Sequence, residues 1–324
     1  MQEWPDLPGI ADVLDARRAL SGVAVRTPVL RSDRLDGLVS GQLFFKAECL
    51  QRTGSFKLRG AYNRVRSLTP GERQRGLITV SAGNAALGTA YAARLVGARL
   101  VVVMPETAVP EKLAAVAALG AEIESRGVTN ADQAFARLAE LRREHGYTLV
   151  HPFDDPFVVA GAATATWELL EEVPDLELLA VPTSGGGLFC GALLAAGALA
   201  PRARVVGVQP AGAAGIVRSL AAGTPTAPER IETVADGLTA PRPGALNFEI
   251  IRRHGALVLT VTDGEILDAM GRIIRELRVI VEPAGAAGLA AVLADRRFHG
   301  RRVGVLLSGG NASPERIRQV LAAA

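Results

Sequence analysis

Short apolar runs, each closed by polar or glycine-rich positions, recur along the whole chain. They are Gln42–Lys46, Leu77–Val80, Leu100–Met104, Ala121–Glu124, Thr148–Val150, Leu178–Pro182, Val205–Val208, Leu257–Val261 and Val303–Leu307. Between them lie stretches such as Lys112–Leu119 and Leu188–Leu199, whose apolar residues repeat at helical spacing. A helix is also predicted over residues 8–21 (Ile10, Val13, Leu14, Arg17, Leu20), followed by an extended segment, Arg26-Thr27-Pro28-Val29-Leu30. Strands that alternate with helices predict βαβ units and mostly parallel sheets, an α/β fold. Nine strands are many for one open sheet, so two doubly wound domains are predicted. No internal repeat or low-complexity linker interrupts the pattern.

In such sheets ligands bind where strands end and loops turn into helices. Three of these junctions are rich in Gly, Ser and Asn. Leu77–Val80 runs into Ser81-Ala82-Gly83-Asn84-Ala85, Leu178–Pro182 runs into Thr183-Ser184-Gly185-Gly186-Gly187-Leu188, and Val303–Leu307 runs into Ser308-Gly309-Gly310-Asn311. Ser184 to Gly187 can turn backbone N–H groups inward ahead of a helix N-terminus, a nest for a phosphate. It matches neither a Walker A sequence nor a G-x-G-x-x-G fingerprint, so a nucleotide is poorly supported; a merely tight turn stays open. Ser81–Asn84 offers donors fit for a carboxylate, with a plain helix cap as the alternative. Ser308 could hydrogen-bond a heteroaromatic nitrogen.

Composition singles out one more residue. Of 36 Lys plus Arg, only Lys46, Lys57 and Lys112 are lysines. Lys46 reads as a strand-end charge and Lys112 as a solvated helix residue. Lys57 follows the turn Thr53-Gly54-Ser55 and opens a helix patterned by Leu58, Ala61, Tyr62, Val65 and Leu68. At a first helical turn the dipole and partial burial both favour a neutral amine, as Schiff-base chemistry requires. A surface lysine remains the alternative on these residues alone. An amine, a phosphate nest, a carboxylate nest and a ring partner together are what pyridoxal 5'-phosphate requires.

The ordered motifs then resemble a known family, the fold-type II pyridoxal-phosphate enzymes of the threonine/serine dehydratase and serine racemase group. The likeness runs from Arg26-Thr27-Pro28 to Ser308-Gly309-Gly310-Asn311. It passes through Lys46-Ala47-Glu48, Gly54-Ser55-Phe56-Lys57-Leu58-Arg59-Gly60, His151-Pro152-Phe153-Asp154-Asp155-Pro156, Ala235-Asp236-Gly237 and Glu282-Pro283-Ala284-Gly285. The resemblance implies a tryptophan-synthase-β-like fold, with a large cofactor-binding domain (residues 1–45 plus 148–324) and a small domain (46–147) carrying the carboxylate loop. It implies that Lys57 carries the cofactor as a Schiff base and later takes the Cα proton. Phe56 would lie beside the ring, Asn84 would bond its 3-hydroxyl, and Ser184, Gly185, Gly186, Gly187 and Leu188 would wrap the phosphate. Ser308 would face the pyridine nitrogen, Gly237 and Glu282 would border the cofactor, and Ser81, Ala82, Gly83, Asn84 and Ala85 would receive the substrate. The implied reaction is β-elimination from a β-hydroxy amino acid to a 2-oxo acid and ammonia. A racemase, a β-replacement synthase and an inactive binding protein are the alternatives.

Departures from the family pattern refine this. Members usually read Ser-Ser-Gly-Asn-His at the carboxylate loop, where this chain has Ala82 and Ala85. A methyl group cannot exchange protons, so two-base racemisation is disfavoured. Ala85, Leu87 and Ala162-Ala163 would remove polar groups near the substrate, hinting at a larger or less polar β-substituent than that of serine. Gln209 and Gly215 stand where the racemases need carboxylates for a divalent metal, and no metal site is expected. Two cysteines and four histidines form no disulfide framework and no zinc spacing.

The remaining expectations are broad. Hydrophobic residues at 49% with a net charge of +3 describe a globular chain with a core to bury. The basic run Arg296-Arg297-Phe298-His299-Gly300-Arg301-Arg302 reads as a solvated loop rather than a nucleic-acid surface. No membrane span and no leader are recognised, so a cytoplasmic protein is expected. The resemblance adds a homodimer and a small amino-acid substrate. The biosynthetic dehydratases carry a regulatory domain beyond the point where this chain stops, so isoleucine-type feedback is not expected.

Overall fold

The computed structural model describes residues 7–322. The nine expected strands are present, with ends shifted by at most two residues, and a tenth is added at Val29–Leu30. In chain order they are β1 (Val29–Leu30), β2 (Gln42–Lys46), β3 (Leu77–Val80), β4 (Leu100–Val103), β5 (Glu122–Glu124), β6 (Thr148–Leu149), β7 (Leu178–Pro182), β8 (Arg204–Pro210), β9 (Leu257–Val261) and β10 (Arg302–Leu306). They form a six-stranded sheet, β1-β2-β10-β7-β8-β9, and a four-stranded sheet, β5-β4-β3-β6. Every pairing is parallel except β1 with β2. The two-residue β1 was expected only as an extended segment, because two residues carry no period. Thr148–Leu149, which the division at residue 148 assigns to the larger part, pairs with β3 in the smaller sheet.

Each sheet is covered on both faces, and the strands record this as alternation. Leu43 and Phe45 join one core cluster with Val303 and Val305, while Phe44 and Leu306 join the cluster on the opposite face. In the smaller sheet Leu77, Leu100 and Val102 face one side, and Ile78, Val101 and Val103 the other. Near-continuous apolar strands of this kind are the mark of doubly covered parallel sheets.

The strand order also assembles the loops. In the larger sheet β2, β10 and β7 are neighbours, so the Thr53–Lys57 turn, Ser308 and the Ser184–Gly187 loop emerge side by side at their carboxyl ends. In the smaller sheet β3 and β6 are neighbours, so the Ser81–Asn84 loop lies beside the segment starting at His151.

The helix Lys57–Ser67 packs between two others at backbone distance. A Cβ on Gly88, in the helix Asn84–Leu95, would lie 2.9 Å from the carbonyl carbon of Lys57, and one on Gly60 would lie 2.7 Å from the carbonyl oxygen of Val158. A Cβ on Gly161, in the helix Pro156–Glu172, would overlap the carbonyl of Arg59. Small residues here bring three helix backbones together.

Two residues after Lys57, the Arg59 guanidinium is fully buried. It donates to Glu48 through Nε and Nη2 (2.8 Å each) and to Glu168 through Nη1 (2.7 Å) and Nη2 (2.9 Å). Lys46 is fully buried as well and joins the same network, donating to Glu168 (2.6 Å) and to the Thr27 carbonyl (2.7 Å). This corrects its reading as a simple strand-end charge: partners 122 residues away in sequence make its burial tolerable. Burial alone would lower the Arg59 pKa, but the two carboxylates outweigh it and raise it. Glu48 is held below its usual range, because Arg59 outweighs the effect of burial. Removing one member leaves an uncompensated buried charge. Glu48→Gln should therefore cost about 3–5 kcal/mol of unfolding free energy. Asp268→Ala, which removes the exposed Arg272–Asp268 pair, should cost under about 1 kcal/mol. Chemical denaturation measures both, and equal losses would contradict the account of the buried network.

Candidate active site

The Lys57 amine, at the first turn of its helix, donates to the Pro152 carbonyl (2.9 Å) and lies 5.2 Å from the centre of the Phe56 ring. Burial pulls its pKa down to about 8, with the Glu282 carboxylate opposing. The amine is thus poised to lose its proton near neutrality, as the sequence suggested.

Ser308, almost fully buried, lies two residues past the end of β10, and its carbonyl accepts from the Phe56 N–H (3.1 Å). Ser55 bridges to Gly309, so the lysine turn and the serine loop are joined by backbone. On the other side of β10, the glycine loop is held open by its neighbours. Gly186 has φ +103°, and a Cβ there would lie 2.7 Å from the Asn247 Cβ, while one on Gly185 would overlap the Phe153 ring. The Asn247 amide donates to the carbonyls of Phe153 (3.0 Å) and Gly185 (2.9 Å). Ser184 accepts from the Ala240 N–H (2.8 Å), and Leu188 is buried in the first turn of the helix Gly187–Leu199. The loop is a cradle lined by main chain.

In the smaller sheet, the Ser81 hydroxyl accepts from the Gly83 N–H (3.1 Å), and Asn84 opens the next helix. The Asn84 amide donates to Glu282 (2.5 Å), and its carbonyl accepts from Asn311 (2.7 Å). A Cβ on Gly237 would lie 3.7 Å from the same Glu282 oxygen. Burial, and then Asp236, push the Glu282 carboxyl up to about 7, against the pull of Asn84, Lys112 and Lys57. Lys112 pairs with Asp236 and so ties the helix Pro110–Ala117 to the Ala235–Gly237 turn, which corrects its reading as a merely solvated charge.

One expectation does not hold in space. Ala162 and Ala163 are buried in a helix–helix contact, where a Cβ on Gly191 would lie 2.6 Å from the Ala163 nitrogen. Their small size serves packing rather than substrate. Ala82 and Leu87 pack partly against the apolar cluster of the smaller sheet, and Ala85 is buried. Gln209 is buried too; its side-chain oxygen accepts from the N–H groups of Ile216 (3.0 Å) and Val217 (3.2 Å), pinning the start of a helix. Sequence reasoning missed Asn247, which no local motif marks. It also gave no role to Asp154, which accepts from the N–H groups of Ala245 (3.0 Å) and Asn247 (3.3 Å).

An amine, an open glycine cradle and a buried serine on adjacent strand ends define a fold-type II cofactor enzyme. The chain belongs to the pyridoxal-phosphate dependent enzyme family, whose profile matches residues 20–309, and its cofactor is pyridoxal 5'-phosphate. It is 39% identical over 313 residues to the L-threo-3-hydroxyaspartate ammonia-lyase of Saccharomyces cerevisiae, covering 96% of this chain and 95% of that one. It is 36% identical over 312 residues to the L-threonine ammonia-lyase of Thermotoga maritima, covering 96% and 78%. Among solved structures, maize serine racemase superposes with a TM-score of 0.92 at 34% identity, covering 98% of both chains. The serine racemase of Dictyostelium discoideum superposes at 0.87 with 35% identity, covering 94% of this chain and 99% of that one.

The residues present fit this cofactor. The cradle is main chain, and the buried hydroxyls of Thr53 and Ser55 in the turn before Lys57, and of Thr183 just before the cradle, find no hydrogen-bond partner among the described residues. Lys57 also leaves a signature in the cofactor-free protein. Because its folded pKa is lowered, the cost of its charge is fully present below about pH 8 and vanishes above about 10.5, where the unfolded chain has also lost the proton. Cofactor-free Lys57→Met should then be more stable than wild type at pH 7, by up to ~3 kcal/mol. The gap should close by pH 10–11. Denaturant midpoints at the two pH values test this, and a less stable variant at pH 7 would count against a strained lysine.

Proposed function

We propose that this chain is a β-eliminating ammonia-lyase, converting a β-hydroxy amino acid such as L-threonine, L-serine or a bulkier relative to a 2-oxo acid and ammonia. One observation carries the reading: a single lysine amine with its pKa near 8 serves the site, while the carboxylate loop carries methyl groups at Ala82 and Ala85, where no proton can be exchanged. One base suffices for elimination; racemisation by two bases lacks its second. The ammonia-lyase names of the relatives support the same choice.

When bound, pyridoxal phosphate supplies an electrophilic carbonyl and an electron-withdrawing ring that acidifies the Cα proton. In this reading Lys57 would hold the cofactor and, when its amine is free, would take the Cα proton. The N–H groups of Ser184 to Leu188 bind the phosphate, and those of Ser81 to Ala85 the substrate carboxylate. Ser308 would offer the ring nitrogen a hydroxyl rather than a carboxylate, which does not favour protonating it. Phe56 flanks the ring. Asn84 would hold the ring 3-hydroxyl in place of its bond to Glu282, whose carboxyl, near its midpoint at neutral pH, can take up or release a proton. Gly237 keeps the space beside Glu282 free.

We further read the two sheets as two domains, close to residues 46–147 and the remainder, that close over substrate and carry Ser81–Asn84 toward Lys57. Structures with and without a substrate analogue that superpose without domain movement would sink this part. No helix among the described residues is long and apolar enough to cross a membrane. We place the protein in the cytoplasm as a homodimer, which sedimentation tests.

The activity test is a panel of β-hydroxy amino acids scored for 2-oxo acid release. Wild type should release it, and Lys57→Ala should lose at least about 10²–10⁴-fold, the range for a proton-transferring side chain. Release undiminished in Lys57→Ala, or silence from a cofactor-loaded wild type, would overturn the reading.

A further inference from the structure

We propose that His151 recognises the β-oxygen of the substrate, as a neutral imidazole donating a hydrogen bond from Nε2; this role rests on the lyase reading above. His151 follows β6 at its carboxyl end, and the carbonyl of the next residue, Pro152, holds the Lys57 amine at 2.9 Å. Its Nδ1 accepts from the backbone N–H groups of Asp154 (2.8 Å) and Phe153 (3.3 Å). A nitrogen that accepts two N–H groups carries no hydrogen, so in the neutral ring the proton sits on Nε2. Nε2 itself has no protein partner among the described residues, and it is not sealed in the interior.

The ring is fixed on both sides. Phe153 meets it edge-on with centroids 4.7 Å apart, and Phe135 stacks at 6.5 Å. Phe153 is also the ring that presses on Gly185 of the cradle, while Phe135 is 39% exposed. The imidazole is therefore clamped between the ring that touches the cradle and an exposed ring, one residue from the carbonyl that holds the amine. Burial, aided by the Lys57 charge, pulls its pKa down to about 4, so it stays neutral through the working range. Lys57 is the charged group acting on this ring.

A neutral imidazole with Nδ1 engaged has no proton to give at neutral pH without becoming an anion. Its part is to orient and polarise the departing oxygen. As the Cβ–O bond breaks, its electron pair stays on oxygen, and the proton that Lys57 took from Cα completes a water molecule. His151 lends a hydrogen bond and keeps its hydrogen. On the Ser81–Ala85 loop, Ala82 and Ala85 carry no donor, and the Asn84 amide is already engaged with Glu282. A site that hydrogen-bonds a substrate oxygen discriminates strongly against analogues lacking one.

The test uses cofactor-loaded wild type, His151→Asn and His151→Phe. Asn retains an oxygen for the two backbone N–H groups, so the turn persists, but it does not reach where Nε2 does. Serine and threonine are compared with β-chloroalanine, whose chloride leaves without needing a proton. His151→Asn should lose about 10²–10³-fold in kcat/KM on the hydroxy substrates. It should change by less than about threefold on β-chloroalanine, with unaltered cofactor absorbance. Equal loss on both substrate types would make His151 merely structural, and no loss on either would remove its role. Independently, ¹⁵N-histidine spectra, with the variants assigning the resonance, should show the Nε2–H tautomer and no titration from about pH 5.5 to 9. An Nδ1–H tautomer, or titration in that window, would overturn the assignment even if activity followed expectation. A loaded wild type silent on β-chloroalanine as well would remove the lyase reading, and this role with it, while the spectra would still report the ring's state.

Discussion

Arg59 sits two residues beyond Lys57 on the same helical turn, and its guanidinium has no water to fall back on. Glu48 holds it from the segment after β2 and Glu168 from the helix Pro156–Glu172, while the Val25 carbonyl adds a third hold (3.1 Å). With Lys46 the cluster contains two cations and two carboxylates, so charge balances inside the protein. Buried networks of this kind are costly when any member is missing, which makes them poor sources of net stability and strong constraints on geometry. Here the constraint falls on the helix that presents the reactive amine. The glycine contacts at Gly60, Gly88 and Gly161 act with it: the network sets the rotation of the helix, and the missing side chains set its depth.

The site's electrostatics follow from that placement. Glu282 is withdrawn from water and Lys57 partly so; they attract one another, yet burial dominates each. The lysine drops toward neutrality and the carboxyl rises to meet it, so both lie within about one unit of pH 7–8. Two groups brought to the same region from opposite directions can exchange protons with substrate without a large change in pH or in total charge. Asp236 raises Glu282 further, and Lys112 opposes that rise.

What could be read from the chain was what is local. Lys57 stood out because it followed a turn and opened a helix. The Ser184–Gly187 and Ser308 loops stood out because each closes an apolar run. The strands were legible for the same reason, apart from β1, too short to show a period. What failed depended on distant partners. Lys46 looked like an ordinary strand end because Glu168 lies far along the chain, and Ala162-Ala163 looked like pocket residues although helix packing claims them. Asn247 gives no local sign at all, and His151, though inside a recognisable motif, acquires its tautomer only from backbone groups that the fold brings to it.

The replacement of lysine by arginine acquires a meaning once the three survivors are placed. Lys46 is sealed and paired, and Lys112 is tied to Asp236. Guanidinium groups do not condense with aldehydes under mild conditions, so among side chains a diffusing aldehyde finds one amine without a carboxylate partner, at Lys57. Adventitious labelling, which would tie up a reactive cofactor on a lysine-rich surface, has almost nowhere to occur. Hydride trapping should accordingly mark Lys57 first, with the partly exposed Lys112 the one slower competitor among the side chains.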